Sequence, residues 1–293
     1  MRLTIAHIGK IARQVLDGEC DLEVSGVTAR GVFLRTPSDR VVFLSMERFR
    51  GPLTLNVAGE TQALQRLAPG LPIRVSAGGF RPESTEWAVE IGEASLWDPP
   101  LPAQAASLPA ERSSRALHII HLALELLGGD ARGDMLQDVL NIYQEDPLLE
   151  SGQPPNPGLK QLCRAVKAAQ PEAIAAALEA FYGLGPGLTP MGDDLAIGLL
   201  LALNRWGNIL HPGLDFAPLN QAAMHSARRK TTSLSANLIE SAAAGQADER
   251  LILVLDGILC GMPDETACVS DLLDWGSTSG CAALSGMAVA ILY

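Results

Sequence analysis

The sequence predicts an α+β protein: a small β-rich, barrel-like domain over residues 1–100, then a mainly α-helical domain with buried apolar helices over residues 111–293. Three observations carry this reading. Short apolar runs separated by turn residues fill the first part. A proline-rich linker, residues 101–110, continues Asp98-Pro-Pro-Leu-Pro102 and includes Pro109; proline there resists both helix and central strand. Beyond it, apolar residues recur at helical spacing.

Taken in order, residues 5–16 are expected to open the chain as a helix. Gly31–Arg35 and Arg40–Ser45 are strand-like, and Thr36-Pro-Ser-Asp39 between them suits a four-residue hairpin connection. Residues 53–57 alternate apolar and polar side chains, residues 73–76 and 86–91 are further candidate strands, and Gly59, Gly70, Gly78 and Gly79 punctuate them. Many short strands with turn signals suggest a small barrel or sandwich. After the linker, Ser113 or Ser114 is expected to cap a helix ending at Gly128-Gly129, with Leu117, Ile120, Leu124 and Leu127 on one stripe. His118 and His121 share that helix with no acidic or cysteine partner nearby in sequence, so they read as packed or half-exposed histidines. Residues 151–158 form a second proline-rich loop. Helices follow around Leu159–Val166 and from Pro171 to a stop at Gly183. Others are expected at Leu219–Lys230, up to Ala244, at Glu249–Cys260 behind an Asp248 cap, at Thr266–Trp275, and from Gly280 to the end.

Composition narrows the function classes. The chain has 293 residues and is 47% hydrophobic but only 4% aromatic, so its core is built mainly from Leu, Ala, Ile and Val. A net charge of -11 without a basic block argues against nucleic acid and anionic membrane as partners. Five scattered cysteines with no C-x-x-C pair argue against a disulfide framework or structural zinc. With no signal-like segment and no apolar run long enough to span a bilayer, the sequence reads as soluble and cytoplasmic.

The chemistry concentrates at Leu184-Gly-Pro-Gly-Leu-Thr-Pro-Met-Gly-Asp-Asp194, which runs straight into an apolar segment without a polar face until Asn204. Gly185, Gly187 and Gly192 permit turns and close approaches. Thr189 is expected as the helix N-cap, with Pro190 at the first helical position. Asp193 and Asp194 then lie in the first turn. A second turn echoes the first. Thr189 stands three places before Gly192, with Gly198 six places on; Ser277 stands three places before Gly280, with Gly286 six places on. The echo has two readings. One is convergent capping and close packing. The other is a pair of buried helices aiming their N-termini at one pocket, an anion site to which Ser277, Thr278 and Ser279 add hydroxyls. Arg228, Arg229 or Lys230 could add a cation, although a basic cluster at a helix end also reads as a solvated C-terminus. Asp193 and Asp194 fit a plain anion site poorly. They cap amides, hold Mg²⁺, or accept hydrogen bonds from an amide or amine of the substrate.

Gly183-Leu-Gly-Pro-Gly-Leu-Thr-Pro-Met-Gly-Asp-Asp194 with Gly198, Thr231-Thr-Ser-Leu-Ser-Ala-Asn237, and Gly276-Ser-Thr-Ser-Gly280 together resemble the AllH-like family. That family was long labelled a domain of unknown function and includes the AllH subunit of the oxamate carbamoyltransferase of allantoin catabolism. The chain departs from the family pattern at Met191, where serine is usual, and at Ala282, where several members carry an acidic residue. The resemblance implies a subunit that works with other subunits of a carbamoyltransferase and binds a small anionic or carbamoyl substrate. The reaction converts oxalurate and phosphate into oxamate and carbamoyl phosphate. The binding residues expected are Gly185, Gly187, Thr189, Gly192, Thr231, Thr232, Ser277, Thr278, Ser279 and Gly280, with Asp193 and Asp194 as catalytic candidates. No cofactor is expected; Mg²⁺ on Asp193 and Asp194 is the metal alternative, and a homo-oligomer is a possible assembly. Two other readings stay open: a non-catalytic assembly or regulatory subunit, and a stand-alone Mg²⁺-dependent enzyme centred on Asp194.

Overall fold

The structure, a computed structural model, describes residues 2–18, 21–59, 64, 67–76, 78–82, 88–102, 108–144 and 155–293. Cys20, residues 86–87 of one expected strand, residues 103–107 of the linker and residues 151–154 of the second proline-rich loop lie outside the described residues. The chain divides into two compact units, residues 1–100 and residues 101–293.

The first unit holds strands β1 (Arg2–Gly9), β2 (Asp21–Thr28), β3 (Gly31–Arg35), β4 (Val41–Ser45), β5 (Thr54–Ala58), β6 (Pro72–Ser76), β7 (Gly79–Pro82), β8 (Ala88–Glu90) and β9 (Ser95–Trp97), with one helix, α1 (Lys10–Gly18). The strands run in the order β5-β4-β3-β2-β6-β7-β8-β1-β9, and β1 also pairs with β5, which closes an eight-stranded barrel with β9 as an extra strand on β1. Closure satisfies the backbone groups that an open sheet would expose at its edges. The expected helix at residues 5–16 is corrected: Arg2–Gly9 is a strand. Its buried Leu3 and Ile5 alternate with exposed Arg2, Thr4 and Ala6, and pairing with β5 and β8 fixes the period-two reading. Helix begins only at Lys10, and Ala12, Val15 and Leu16 join the barrel core. The hairpin between β3 and β4 forms as expected: the Thr36 amide donates to Arg40 O at 2.9 Å and Asp39 takes a left-handed φ of 63°. β2 was not expected, although Leu22 and Val24 alternate with exposed neighbours.

The second unit is helical: α2 (Pro109–Leu127), α3 (Asp134–Gln144), α4 (Pro157–Lys167), α5 (Pro171–Glu179), α6 (Met191–Leu210), α7 (Ala217–Lys230), α8 (Ser233–Ala243), α9 (Glu249–Cys260), α10 (Glu265–Leu273) and α11 (Ser279–Leu292). Two expectations change. α2 starts a turn earlier than Ser113 or Ser114, because Pro109 at the first helical position preorganises the start, and Leu108 is the cap. His118 does have an acidic partner, Glu265 at 2.9 Å, delivered by α10 from far along the chain. Asp248 caps α9 as expected, accepting from the Arg250 amide at 3.0 Å. α3 was not expected.

α6 is the core of this unit. Every residue from Gly192 to Leu203 is buried, and α11 is buried from Ser279 to Ala290. The two helices meet backbone to backbone. A Cβ on Gly198 would stand 1.9 Å from Ala283 O, and one on Gly286 would stand 2.0 Å from Leu195 O. The contact is reciprocal: Leu195 and Gly198 lie 88 residues before Ala283 and Gly286 respectively. Such exchange of equivalent partners is the mark of a two-fold relation, here within one chain. The surroundings follow it: α6 packs on α8 as α11 packs on α3, and α5 packs on α4 and α7 as α10 packs on α9 and α2. The helical unit is therefore an internal repeat in circular order, with α2 and α3 serving the second half as α7 and α8 serve the first.

Gly198→Val or Gly286→Val would force the backbones apart. Each is expected to cost about 3 kcal/mol or more, read as a melting temperature roughly 6–12 °C lower. Gly18→Ala, where an added Cβ meets nothing within 4 Å, is expected to stay within about 0.5 kcal/mol.

Candidate functional site

The start of α6 is built differently from the sequence expectation. Pro190, not Thr189, is the N-cap, and no side chain caps the helix. Pro190 O takes the first helical bonds, from the amides of Asp193 at 2.9 Å and Asp194 at 3.2 Å. This frees the Thr189 hydroxyl, which faces across to α11 and lies 3.2 Å from Ser279 Oγ. The two turns that echo each other in sequence therefore touch.

They also share one construction. Leu184 N donates to Phe181 O at 3.0 Å, Gly192 N donates to Leu184 O at 3.0 Å, and a Cβ on Gly192 would lie 2.0 Å from Phe181 O. In the second turn, Trp275 N donates to Leu272 O at 2.9 Å, Gly280 N donates to Trp275 O at 3.0 Å, and a Cβ on Gly280 would lie 1.9 Å from Leu272 O. Gly192 and Gly280 are thus fixed by packing of the helix start against the carbonyl that ends the previous helical segment. The first turn differs in carrying three more residues between these anchors.

Those extra residues belong to an exposed loop. Gly185 and Gly187 hold φ values of +115° and +103°, which side chains rarely adopt. Leu184 and Leu188 are each 54% exposed. The loop is tied at both ends. Gly183 N donates to Asp193 Oδ1 at 2.9 Å, and the Thr232 hydroxyl donates to Leu188 O at 2.7 Å. Thr232 also caps α8, accepting from Ser235 N at 3.1 Å. The Thr231 hydroxyl donates to Asp193 Oδ2. The middle motif, Thr231 to Asn237, is thereby joined to the first.

Asp193 and Asp194 have opposite surroundings, although both are fully buried. Asp193 cross-links the loop and the α7–α8 corner with both oxygens. Neither oxygen of Asp194 has a hydrogen-bond partner among the described residues. Burial lifts its pKa to about 8; the nearby Ser279 hydroxyl opposes this, the charge of Asp193 reinforces it, and the Thr189 hydroxyl opposes it. Those hydroxyls are close enough to act on the carboxyl; only one of them donates in their mutual contact, which leaves the other's proton for a further acceptor.

Of the other expected residues, Ser277 is exposed and Thr278 is the N-cap of α11 without a side-chain bond. The basic cluster supplies no cation here. Arg228 pairs with Glu240 at 3.0 Å, Lys230 pairs with Glu179 at 2.8 Å, and Arg229 reaches His225. For a metal, Asp193 is already committed, and no group of three His, Cys, Asp or Glu side chains suited to an ion occurs among the described residues. Two further buried hydroxyls without partners, Tyr182 and Ser235, were not singled out in the sequence. Ser235 lies inside a motif and is fully buried on α8; Tyr182 carries no signal in the sequence.

Two measurements follow. Asp193→Asn and Thr231→Val are expected to be non-additive in a denaturation double-mutant cycle, with a coupling of about 1–3 kcal/mol. For Asp194 the folded-state pKa lies above the unfolded value. Its stabilisation is therefore complete below about pH 4 and is lost as pH rises to about 8. Relative to the wild type, Asp194→Asn should gain stability across that window by up to about 1.4 kcal/mol per pH unit and level off above it.

Comparison with known proteins gives one family. The family model described as oxamate carbamoyltransferase subunit AllH matches residues 181–291, a span that holds both glycine turns, the Thr231–Asn237 motif, α6 and α11. No solved structure matches the chain. The three motifs that suggested the family in the sequence are the same residues that converge around the start of α6, and residues 181–291 are similar to that family.

Proposed function

We propose that this chain is an AllH-type subunit of a carbamoyltransferase. In this reading it works with partner subunits in the cytoplasm and binds a small carbamoyl or carboxylate substrate where the starts of α6 and α11 meet. The observation that carries the proposal is the family match over residues 181–291, supported by the contact of Thr189 with Ser279 inside that span. Two helix starts present positive dipole ends, and hydroxyls beside them suit phosphate, a carboxylate, or the oxyanion formed when phosphate attacks a ureido carbon. The reaction is then oxalurate plus phosphate giving oxamate plus carbamoyl phosphate. A covalent route has little support, because the buried thiols are poor nucleophiles: burial lifts Cys163 to about 12 and Cys281 to about 11.

A second reading, a non-catalytic assembly subunit, is favoured by one observation. The α6–α11 crossing is packed to backbone contact, and the hydroxyls at its end already have each other as a partner.

One assay separates the two: phosphate-dependent cleavage of oxalurate by the purified chain, alone and with its partner subunits. Carbamoyl transfer is expected with the partners and should fall at least about a hundredfold in Thr189→Val plus Ser279→Ala, a loss typical of removing stabilising donors. Unchanged turnover in that double variant would assign the chain to assembly.

A further inference from the structure

Asp194 is a buried group whose two oxygens make no hydrogen bond of good geometry among the described residues, with the hydroxyls of Ser279 and Thr189 beside them. Burial of a polar group without a partner is destabilising, and in this core only Asp194 leaves an entire carboxyl group in that state among the described residues. It lies at the start of one buried helix and beside the hydroxyl that starts another. The charges around it are few. Asp193 on the same helix repels it. α11 carries no charged residue, and its Cys281 thiol is pushed up to about 11. α8 carries only Glu240, which is paired with Arg228. Tyr182 is held neutral by burial. Among the described residues no ammonium or guanidinium group acts on it, so the position does not suit a carboxylate.

We propose that the two oxygens of Asp194 form the carbamoyl-recognising pair of this chain. The carboxyl O–H donates to the carbonyl oxygen of an H₂N–C=O group, and the carboxyl C=O accepts from its N–H. This rests on the carbamoyl-transfer reading above and adds the residue that reads the substrate. A protonated carboxyl has one donor and one acceptor side by side, the complement of a primary amide. Phosphate, a carboxylate or a metal ion would each meet only half of that pair. A pKa of about 8 keeps the proton in place at neutral pH. Access runs past Thr189, so the ligand separates the Thr189–Ser279 hydroxyls and takes them as further partners. The Gly183–Leu188 loop, tied through Gly183, Leu184 and Leu188 and exposed between Gly185 and Leu188, is the segment that yields.

The quasi-two-fold relation explains why there is one such seat. Shifted by 88 residues, Asp194 and Ser279 correspond to Ala282 and Met191. The second position is therefore apolar, and the chain binds one carbamoyl group.

The test compares oxamate with oxalate, which differ only in an amide against a carboxylate, by calorimetric titration of the full chain with its partner subunits. Oxamate is expected to bind at least about tenfold more tightly at pH 6.5, the discrimination of one buried hydrogen-bond pair. The preference should fade as pH passes 8, when the donor is lost. Asp194→Asn keeps a donor and an acceptor, so it should retain the preference and flatten its pH dependence. Asp194→Leu should abolish it in a protein whose melting temperature shows that it folds. Equal binding of the two ligands by the wild type, no binding of oxamate, or a preference that survives Asp194→Leu overturns the proposal. Binding is read without turnover. A chain that discriminates in this way yet supports no carbamoyl transfer leaves the pairing standing and removes the functional reading; transfer with unselective binding does the reverse.

Discussion

The close contact of α6 with α11 is the constraint on which the helical unit depends. Gly198 and Gly286 each sit against a carbonyl of the other helix. At that distance there is no layer of side chains between the backbones, so dispersion contacts are dense and neither helix can slide without collision. The position of one helix start relative to the other follows from this. Both starts lie about a turn from the crossing, and that is what brings Thr189 to Ser279. The site is a by-product of a packing requirement: two glycines six residues from two others set the geometry, and the hydroxyl residues occupy it.

Adjacent carboxylates at one helix start have divided their work. Asp193 points toward the loop and the α7–α8 corner, where it accepts from a backbone amide and a hydroxyl. Asp194, about 100° further round the helix, lies beside the Ser279 and Thr189 hydroxyls and makes no well-formed hydrogen bond among the described residues. Burial alone would make either residue a liability. Asp193 offsets that cost through its bonds, whereas burial raises the pKa of Asp194 and so favours its neutral form.

Much of this was legible in the sequence, and the gaps have physical causes. The α+β class, the barrel, the hairpin at Thr36–Asp39 and the buried character of α6 follow from period and turn chemistry, which are local. Residues 5–9 form strand rather than the helix expected over residues 5–16, because the pairing of Arg2–Gly9 with β5, β8 and β9 lies far along the chain. The cap falls on Pro190 rather than Thr189 because a proline with extended ψ can end the turn itself, leaving the threonine for a distant partner. The echo of the two turns could be seen, but its two readings are not exclusive: the glycines serve close packing, and the packing brings the turns together. The separate fates of Asp193 and Asp194 depend on side-chain direction, which no one-dimensional pattern carries.

The internal repeat also has a consequence for synthesis. α6 is apolar on nearly all faces, and its main partner is made 88 residues later. At about 5–20 residues per second, that is a wait of roughly 4–18 s. During it α8 can cover one side of α6, while the face destined for α11 stays open. An emerging chain with such a face is a substrate for chaperones, and the last helix of the repeat acts as the closure that ends that exposure.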